Sequence, residues 1–345
     1  KSSAASDVYK RQMEQFVDNF PNEEAHLTGE EIHRRLDEIE QIHAIYSPAR
    51  LGLAAAIACC AFTFLLGGGP IEMMLAFIAA GIGNLIRTKL IKHHFTLFLN
   101  IAVSISASCF IYAALLKIAE MAFNVPSIHE AGYICSMLFI IPGFPFITSG
   151  IDLAKLDLRS GLERLAYAII IVMVATMFAW IMALLLQLKP MDFEDLNLTP
   201  VLHLILRLIM SFFGVFGFSI MFNSPAPMAA TAALIGSIAN SLRLELVDLT
   251  GMPAPAAAFA GALTAGLLAS FIKQNNGYPR ISLTVPSIVI MVPGLYLYRA
   301  IYNFGIMALS DAVSWFASAI MIIIALPLGL IFARILTDKT FRYCT

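Results

Sequence analysis

The sequence predicts an all-α polytopic membrane protein of about ten transmembrane helices, arranged as an inverted five-plus-five repeat with two helices broken at Pro-Gly. Three observations predict it. Hydrophobic residues make up 59% of the 345 and charged ones only 13%, with a mean hydropathy of +0.81, beyond the roughly 45–50% apolar content of soluble domains. Apolar runs of about twenty residues, the length of helix that crosses hydrocarbon, recur along nearly the whole chain after residue 50; a membrane β-barrel would show short alternating segments instead. The same helix-breaking pair stands in two of these runs, IIPGFPFITSG at 140–150 and IVIMVPGLYLY at 288–298.

Residues 1–12, KSSAASDVYKRQ, are neither apolar nor a signal peptide; they resemble a translated cloning or assembly artefact and are set aside from fold reasoning. Residues 13–48 form a short cytoplasmic amphipathic segment. In it Thr28 is a candidate N-cap with Glu31 three positions on, Ile32, Leu36, Ile39 and Ile42 keep helical spacing, and Pro48 ends the helix. Hydrophobic spans follow near 50–66, 70–86, 95–116, 130–148, 163–188, 201–222, 227–241, 254–272, 281–298 and 308–335. They divide into a first membrane repeat, 49–190, and a second, 191–345. The GGGP at 67–70 leaves room only for a tight hairpin.

Basic residues set the orientation. With a cytoplasmic amino terminus, Arg87, Lys89, Lys92, Lys155, Arg159, Arg164, Lys273, Arg280, Arg334, Lys339 and Arg342 lie inside, and Lys117, Lys189, Arg243 and Arg299 outside. That is the bias the positive-inside rule demands, so both termini are expected in the cytoplasm. The repeat rests on matched offsets of about 150 to 157 residues. Pro142-Gly143 answers Pro293-Gly294, GGGP answers NSPAP at 223–227, and Ser160-Gly161 answers Ser310-Asp311. Because five spans is an odd number, the second half enters the membrane upside down relative to the first, the pattern of secondary transporters.

A broken helix frees carbonyls before the break and N–H groups after it, and these need a cavity or a ligand in hydrocarbon. Pro142, Gly143, Pro145, Pro293 and Gly294 are therefore expected to line a central site, where a half-helix N-terminus suits a carboxylate. Asp152 and Asp157, with Lys155, Arg159, Glu163 and Arg164, read as one amphipathic helix at the inner surface, either a gate or a helix floating among headgroups. His203 and Arg207 share one face of the sixth span; Arg207 either meets a partner or snorkels outward. Glu72 and Asp311 are further carboxylates that take up protons if partly buried. Asn84, Asn100, Asn240 and Asn303 line a path or join helices. Tyr296, Tyr298, Arg299 and Tyr302 form an interfacial belt or a gate.

Other classes are disfavoured. There is no HExxH and no GxSxG, and GIGN at 81–84 has Asn84 where a GxGD protease carries its acid, so no enzyme is expected. Cys59, Cys60, Cys109, Cys135 and Cys344 show no CxxC or Cys/His cluster, so neither a metal nor a cofactor is expected. A net charge of −1 gives no sign of a nucleic-acid partner. The expected partners are a small-molecule substrate, protons and the lipid bilayer; a homo-oligomer is compatible with the sequence.

The stretch IPGFPFITSGIDLAKLDLRSGLERLAYA, 141–168, resembles the signature of the threonine/serine exporters, with Pro142, Gly143, Asp152, Asp157, Ser160, Gly161, Leu162, Arg164 and Leu165 at its positions. VPSIVIMVPGLYLYRAIYNF resembles that family's second domain, with Pro286, Pro293, Gly294, Tyr298 and Arg299 matching. The resemblance spans roughly 28–335. It implies an inner-membrane, proton-driven exporter of threonine and serine; related two-chain members are associated with dicarboxylate export, notably of succinate. Where the family commonly has Asn and Arg, this chain has Thr148 and Ile151, which places Thr148 among the expected specificity positions.

Overall fold

Every regular element among the described residues is helical. The computed structural model describes residues 7–20, 27–40, 45–123, 127–194, 196–276 and 278–343; Ile42, Cys344 and the Lys273 side chain lie outside them. Helix α1 (Asp7–Asn19) begins within the stretch set aside above, and Asp7 is buried, its carboxylate accepting from Ser224 at 2.5 Å and Ser282 at 3.0 Å. Helix α2 (Gly29–Glu40) carries the expected capping box: Thr28 N–H donates to Glu31 at 2.9 Å and Glu31 N–H to the Thr28 hydroxyl at 3.4 Å. Bonds donated by the Thr28 N–H and the Thr28 hydroxyl hold the exposed Glu31 carboxyl below its ordinary range.

Pro48 was expected to end a helix and instead starts one. It is the first residue of α3 (Pro48–Leu65), capped by Ser47, because a missing N–H costs nothing in a first turn. Then come α4 (Pro70–Lys92) and α5 (Leu97–Phe123). The fourth span is in pieces: a 3-10 turn at Ser127–Ala131, α6 (Gly132–Ser136), a second 3-10 turn at Leu138–Ile140, and α7 (Gly143–Ala154). Helix α8 (Leu158–Leu186) closes the first half. The second half runs α9 (Pro200–Met221), α10 (Ala226–Thr250), α11 (Ala254–Asn276), the broken pair α12 (Arg280–Val289) and α13 (Gly294–Gly305), and α14 (Leu309–Thr337), before the short α15 (Lys339–Tyr343).

Seven of these helices are long and apolar enough to cross a membrane, and nine if each of two bent pairs, at 54° and 47°, counts as one span. The expected span that is not among these nine is the seventh, which falls on α10. At 25 residues it is longer than the 227–241 predicted, and it carries Asn240, Arg243, Glu245 and Asp248, which lower its apolarity. The halves match in detail: α7 and α13 each have 12 residues, α8 and α14 each 29. Left-handed residues recur in register, Gly67 with Asn223, His94 with Gly251, and Leu156 with Met307.

The halves join along α3 and α9, which approach so closely at Gly217 that a Cβ there would sit 2.5 Å from the Ala54 carbonyl oxygen. Small residues at such crossings are what let membrane helices pack. They also interlock through the broken spans, α7 lying against α12 and α14, and α13 against α8.

Candidate functional site

The two breaks cross at the centre of the bundle. Pro142 (φ −82°, ψ 60°) and Pro293 (φ −80°, ψ 55°) adopt the same inverse γ-turn, in which Gly143 N–H donates to Ile141 O and Gly294 N–H to Val292 O, both at 2.8 Å. Gly143 faces Val289 and Val292, and Gly294 faces Leu138 and Ile141, with a hypothetical Cβ only 3.0–3.2 Å from the nearest of these. The gap between them, walled also by Phe62 and Phe218, is about 10 Å³, so the crossing is shut in this conformation. The freed polar groups do not face the expected open cavity. The γ-turns take up the glycine N–H groups, and two arginines reach the carbonyls: Arg87 donates to Phe139 O at 3.4 Å and Arg243 to Met291 O at 3.3 Å.

Arg87 and Arg243 hold matched places on α4 and α10, yet the sequence showed them only as loop charges for orientation. Their signal was available in their offset, 156 residues, which Asn84 and Asn240 share. Those asparagines tie each helix to the one before it, Asn84 to Leu51 O and Asn240 to the Ser211 hydroxyl, both at 2.9 Å.

Tyr298 is fully buried, and its hydroxyl meets that of Tyr133 at 2.6 Å, the rings edge to face. It is no interfacial belt residue. Tyr133, on the other broken span, was missed because a lone tyrosine in an apolar run carries no periodic signal. Next to it in the chain, Arg299 donates to Asp192 at 2.7 Å and to Met191 O at 3.3 Å and lies over the Trp315 ring, tying the loop at 191–194 to α13. Thr148 is buried, and its hydroxyl returns to Phe144 O at 3.0 Å within its own helix.

Asp152 and Asp157 do not share the single amphipathic helix expected of them. Helix α7 stops at Ala154, Leu156 takes a left-handed φ of 63°, and α8 starts afresh at Leu158. Asp152, on α7, pairs with Arg164 of α8 at 2.7 Å. Asp157 is exposed and caps α8, accepting from Ser160 N–H at 3.3 Å, and its hydrogen bonds with Ser160 hold its carboxyl below the usual range.

Arg207 does not snorkel. It is buried and forks onto α10, pairing with Glu245 at 2.7 Å and with Asp248; His203 packs edge-on against Phe64. Glu72 is also buried, with one oxygen 2.6 Å from His129 Nδ1 and the other accepting from Gly69 N–H at 3.0 Å. Asp311 is exposed in the first turn of α14, where a negative charge complements the helix dipole. The site residues thus fall into a central crossing with Tyr298 nearby and separate polar clusters toward either end.

At one end of the bundle a cavity of about 660 Å³ opens between α7, α12 and α14, lined by Lys155, Arg280, Arg334 and Lys339 with Asp338 as the single acid among the described residues, and by Ser270, Thr284 and Thr337. Such a volume holds a small organic molecule, and the excess of cations suits an anionic one.

Comparison with known proteins supplies a family. Residues 10–187 match the family model described as "Putative threonine/serine exporter" and residues 207–336 the model described as "Threonine/Serine exporter, ThrE". A curated relative from Escherichia coli, "Probable succinate transporter subunit YjjP", is 28% identical over 153 residues, which is 44% of this chain and 57% of the relative. Its counterpart from Klebsiella aerogenes is 25% identical over 158 residues, 46% of this chain and 58% of the relative. The chain therefore spans little more than half the length of these curated relatives. No solved structure matches it.

Proposed function

Because the chain belongs to the threonine/serine exporter family, a family of membrane exporters, we propose that it is a secondary exporter of threonine and serine driven by the proton gradient. The observation that carries this reading is the crossing of two identical Pro-Gly breaks at the bundle centre. Two γ-turned half-helices packed on each other give a constriction that opens to one side or the other when either half tilts, which is alternating access. We read the chain as two inverted five-helix repeats, 49–190 and 191–345, in the inner membrane with both termini cytoplasmic. The matched left-handed turns and matched arginines support that reading.

In this reading the cationic cavity is the cytoplasmic entry, and Pro142, Gly143, Thr148, Pro293, Gly294, Tyr298 and Arg299 form the pathway. Asp152, tied to Arg164 beside that entry, is the inner gate. Arg207 and His203 brace the outer half, and Asp157 and Asp311 serve as helix-end charges. A second reading, export of a small dicarboxylate, is favoured by one feature: four cations against one acid line the cavity, more positive charge than a zwitterion needs.

Efflux from proteoliposomes preloaded with labelled threonine, serine or succinate, with and without an imposed proton gradient, tests both. Gradient-stimulated loss of an amino acid supports the first reading and loss of succinate alone the second. Retention of all three would end the exporter assignment for this chain.

A further inference from the structure

The two halves differ most informatively where they should match. Glu72 stands in the first turn of α4, and the corresponding place in α10, 156 residues on, is the buried Met228. His129 stands thirteen residues before Pro142, and the residue thirteen before Pro293 is Arg280. At one end of the molecule the repeat therefore holds a carboxylate and an imidazole, and at the other a thioether and a guanidinium.

We propose that Glu72 and His129 form the proton-binding site of this protein. The assignment rests on the exporter reading above and deepens it by naming the coupling site. The geometry is that of a shared proton: Glu72 Oε1 and His129 Nδ1 lie 2.6 Å apart, with the two side chains only 4% and 13% exposed. Around them, Tyr112 of α5 donates its hydroxyl to His129 O at 2.7 Å, and Cys135 of α6 lies within electrostatic reach of Glu72. Glu130 flanks the pair, accepts from Lys189 N–H at 3.3 Å and interacts with Lys117. The second Glu72 oxygen is taken by Gly69 N–H.

What makes the pair a coupling device is which elements it joins. Glu72 belongs to α4, an unbroken span. His129 begins the outer half of the broken span, His129–Ile140, which bends by 54° at Pro142 and carries Tyr133 to its partner Tyr298 on the other broken span. A proton on the imidazole makes the contact an ion pair and ties this half-helix to α4. Loss of that proton weakens the tie and lets the half-helix swing. Positive-inside orientation puts this end outside, where an exporter that exchanges substrate for protons must load them.

The test separates coupling from transport. Wild type, Glu72→Gln, His129→Gln and the control Asp311→Asn are placed in proteoliposomes, and two quantities are read with labelled threonine, serine and succinate. One is counterflow at equal pH, which needs no proton; the other is flux driven by a pH gradient. Gln at 72 keeps the oxygen that Gly69 N–H requires, so the helix start is preserved.

The expected result is that both Gln variants keep counterflow within about two-fold while gradient-driven flux falls at least ten-fold, with Asp311→Asn unaffected in both. Gradient-driven flux retained by either Gln variant would overturn the proposal, and so would equal loss of both activities in a folded variant. Wild-type counterflow without any response to a pH gradient would overturn the proton site and the proton drive, and leave only transport of the substrate itself standing. Absence of wild-type counterflow would end both.

Discussion

Tyr133 and Tyr298 share one hydrogen bond in an apolar surrounding, so neither hydroxyl has water to fall back on. Phe at either position strands the other hydroxyl and costs about 1–2 kcal/mol, whereas Phe at both removes donor and acceptor together and is expected to be nearly neutral. Thermal melting of the two single variants and the double variant in one detergent measures this directly; additive losses would mean that the bond is absent in solution. Arg207 presents the ionic case. Arg207→Ala leaves Glu245 unpaired and should cost about 2 kcal/mol, less than a fully buried pair because Asp248 is half exposed. Arg207→Lys should recover only part of it, since an ammonium cannot fork onto two carboxylates. Asp157 gives a pH prediction. Its carboxyl is held low by Ser160, so its contribution to the α8 start is present above the ordinary aspartate range and lost only as pH falls through the depressed value. Transport by Asp157→Asn should therefore follow the wild-type pH profile between about pH 5 and 8, and a shifted profile would make Asp157 part of the proton path.

The broken spans are where element-level geometry decides behaviour. Each glycine after a break faces side chains of the opposite half, Gly143 with Val289 and Val292 at 3.2 Å and Gly294 with Leu138 at 3.0 Å from a built Cβ. Alanine at either position overpacks the crossing, at a cost of about 1–3 kcal/mol, and should lower flux at least ten-fold while the protein still reaches the membrane. Normal flux in Gly294→Ala would show that the crossing is not the moving part. The sequence marked these breaks plainly, because Pro-Gly has few uses inside a helix. The shared offset of Arg87 and Arg243 marks them as a matched pair but does not say which carbonyls they meet, since each arginine sits in a different helix from the carbonyl it reaches.

Across the whole molecule the prediction is topological. Cysteine placed at His94, in the turn between α4 and α5, and at Asp192, in the loop that Arg299 holds, should react with a membrane-impermeant thiol reagent from opposite sides. Asp192→Cys labels in intact cells and His94→Cys only after permeabilisation. The native Cys59, Cys109 and Cys135 are buried and should contribute little background. Labelling of both sites from one side would refute the inverted arrangement.

By itself the sequence determined the class of molecule, the helix order, the two breaks and their offset, because length, hydropathy and Pro-Gly are local properties that each segment carries alone. It also carried the exporter signature around Asp152 and Asp157. Only the tertiary structure decided which polar groups meet. Arg207 on α9 reaches Glu245 and Asp248 on α10, Glu72 finds His129 fifty-seven residues away, and Tyr133 finds Tyr298 from the other half. In hydrocarbon a polar side chain must find a partner, but which one it finds depends on helix rotation and crossing, and these are fixed by the fit of small residues such as Gly217 against a neighbouring backbone.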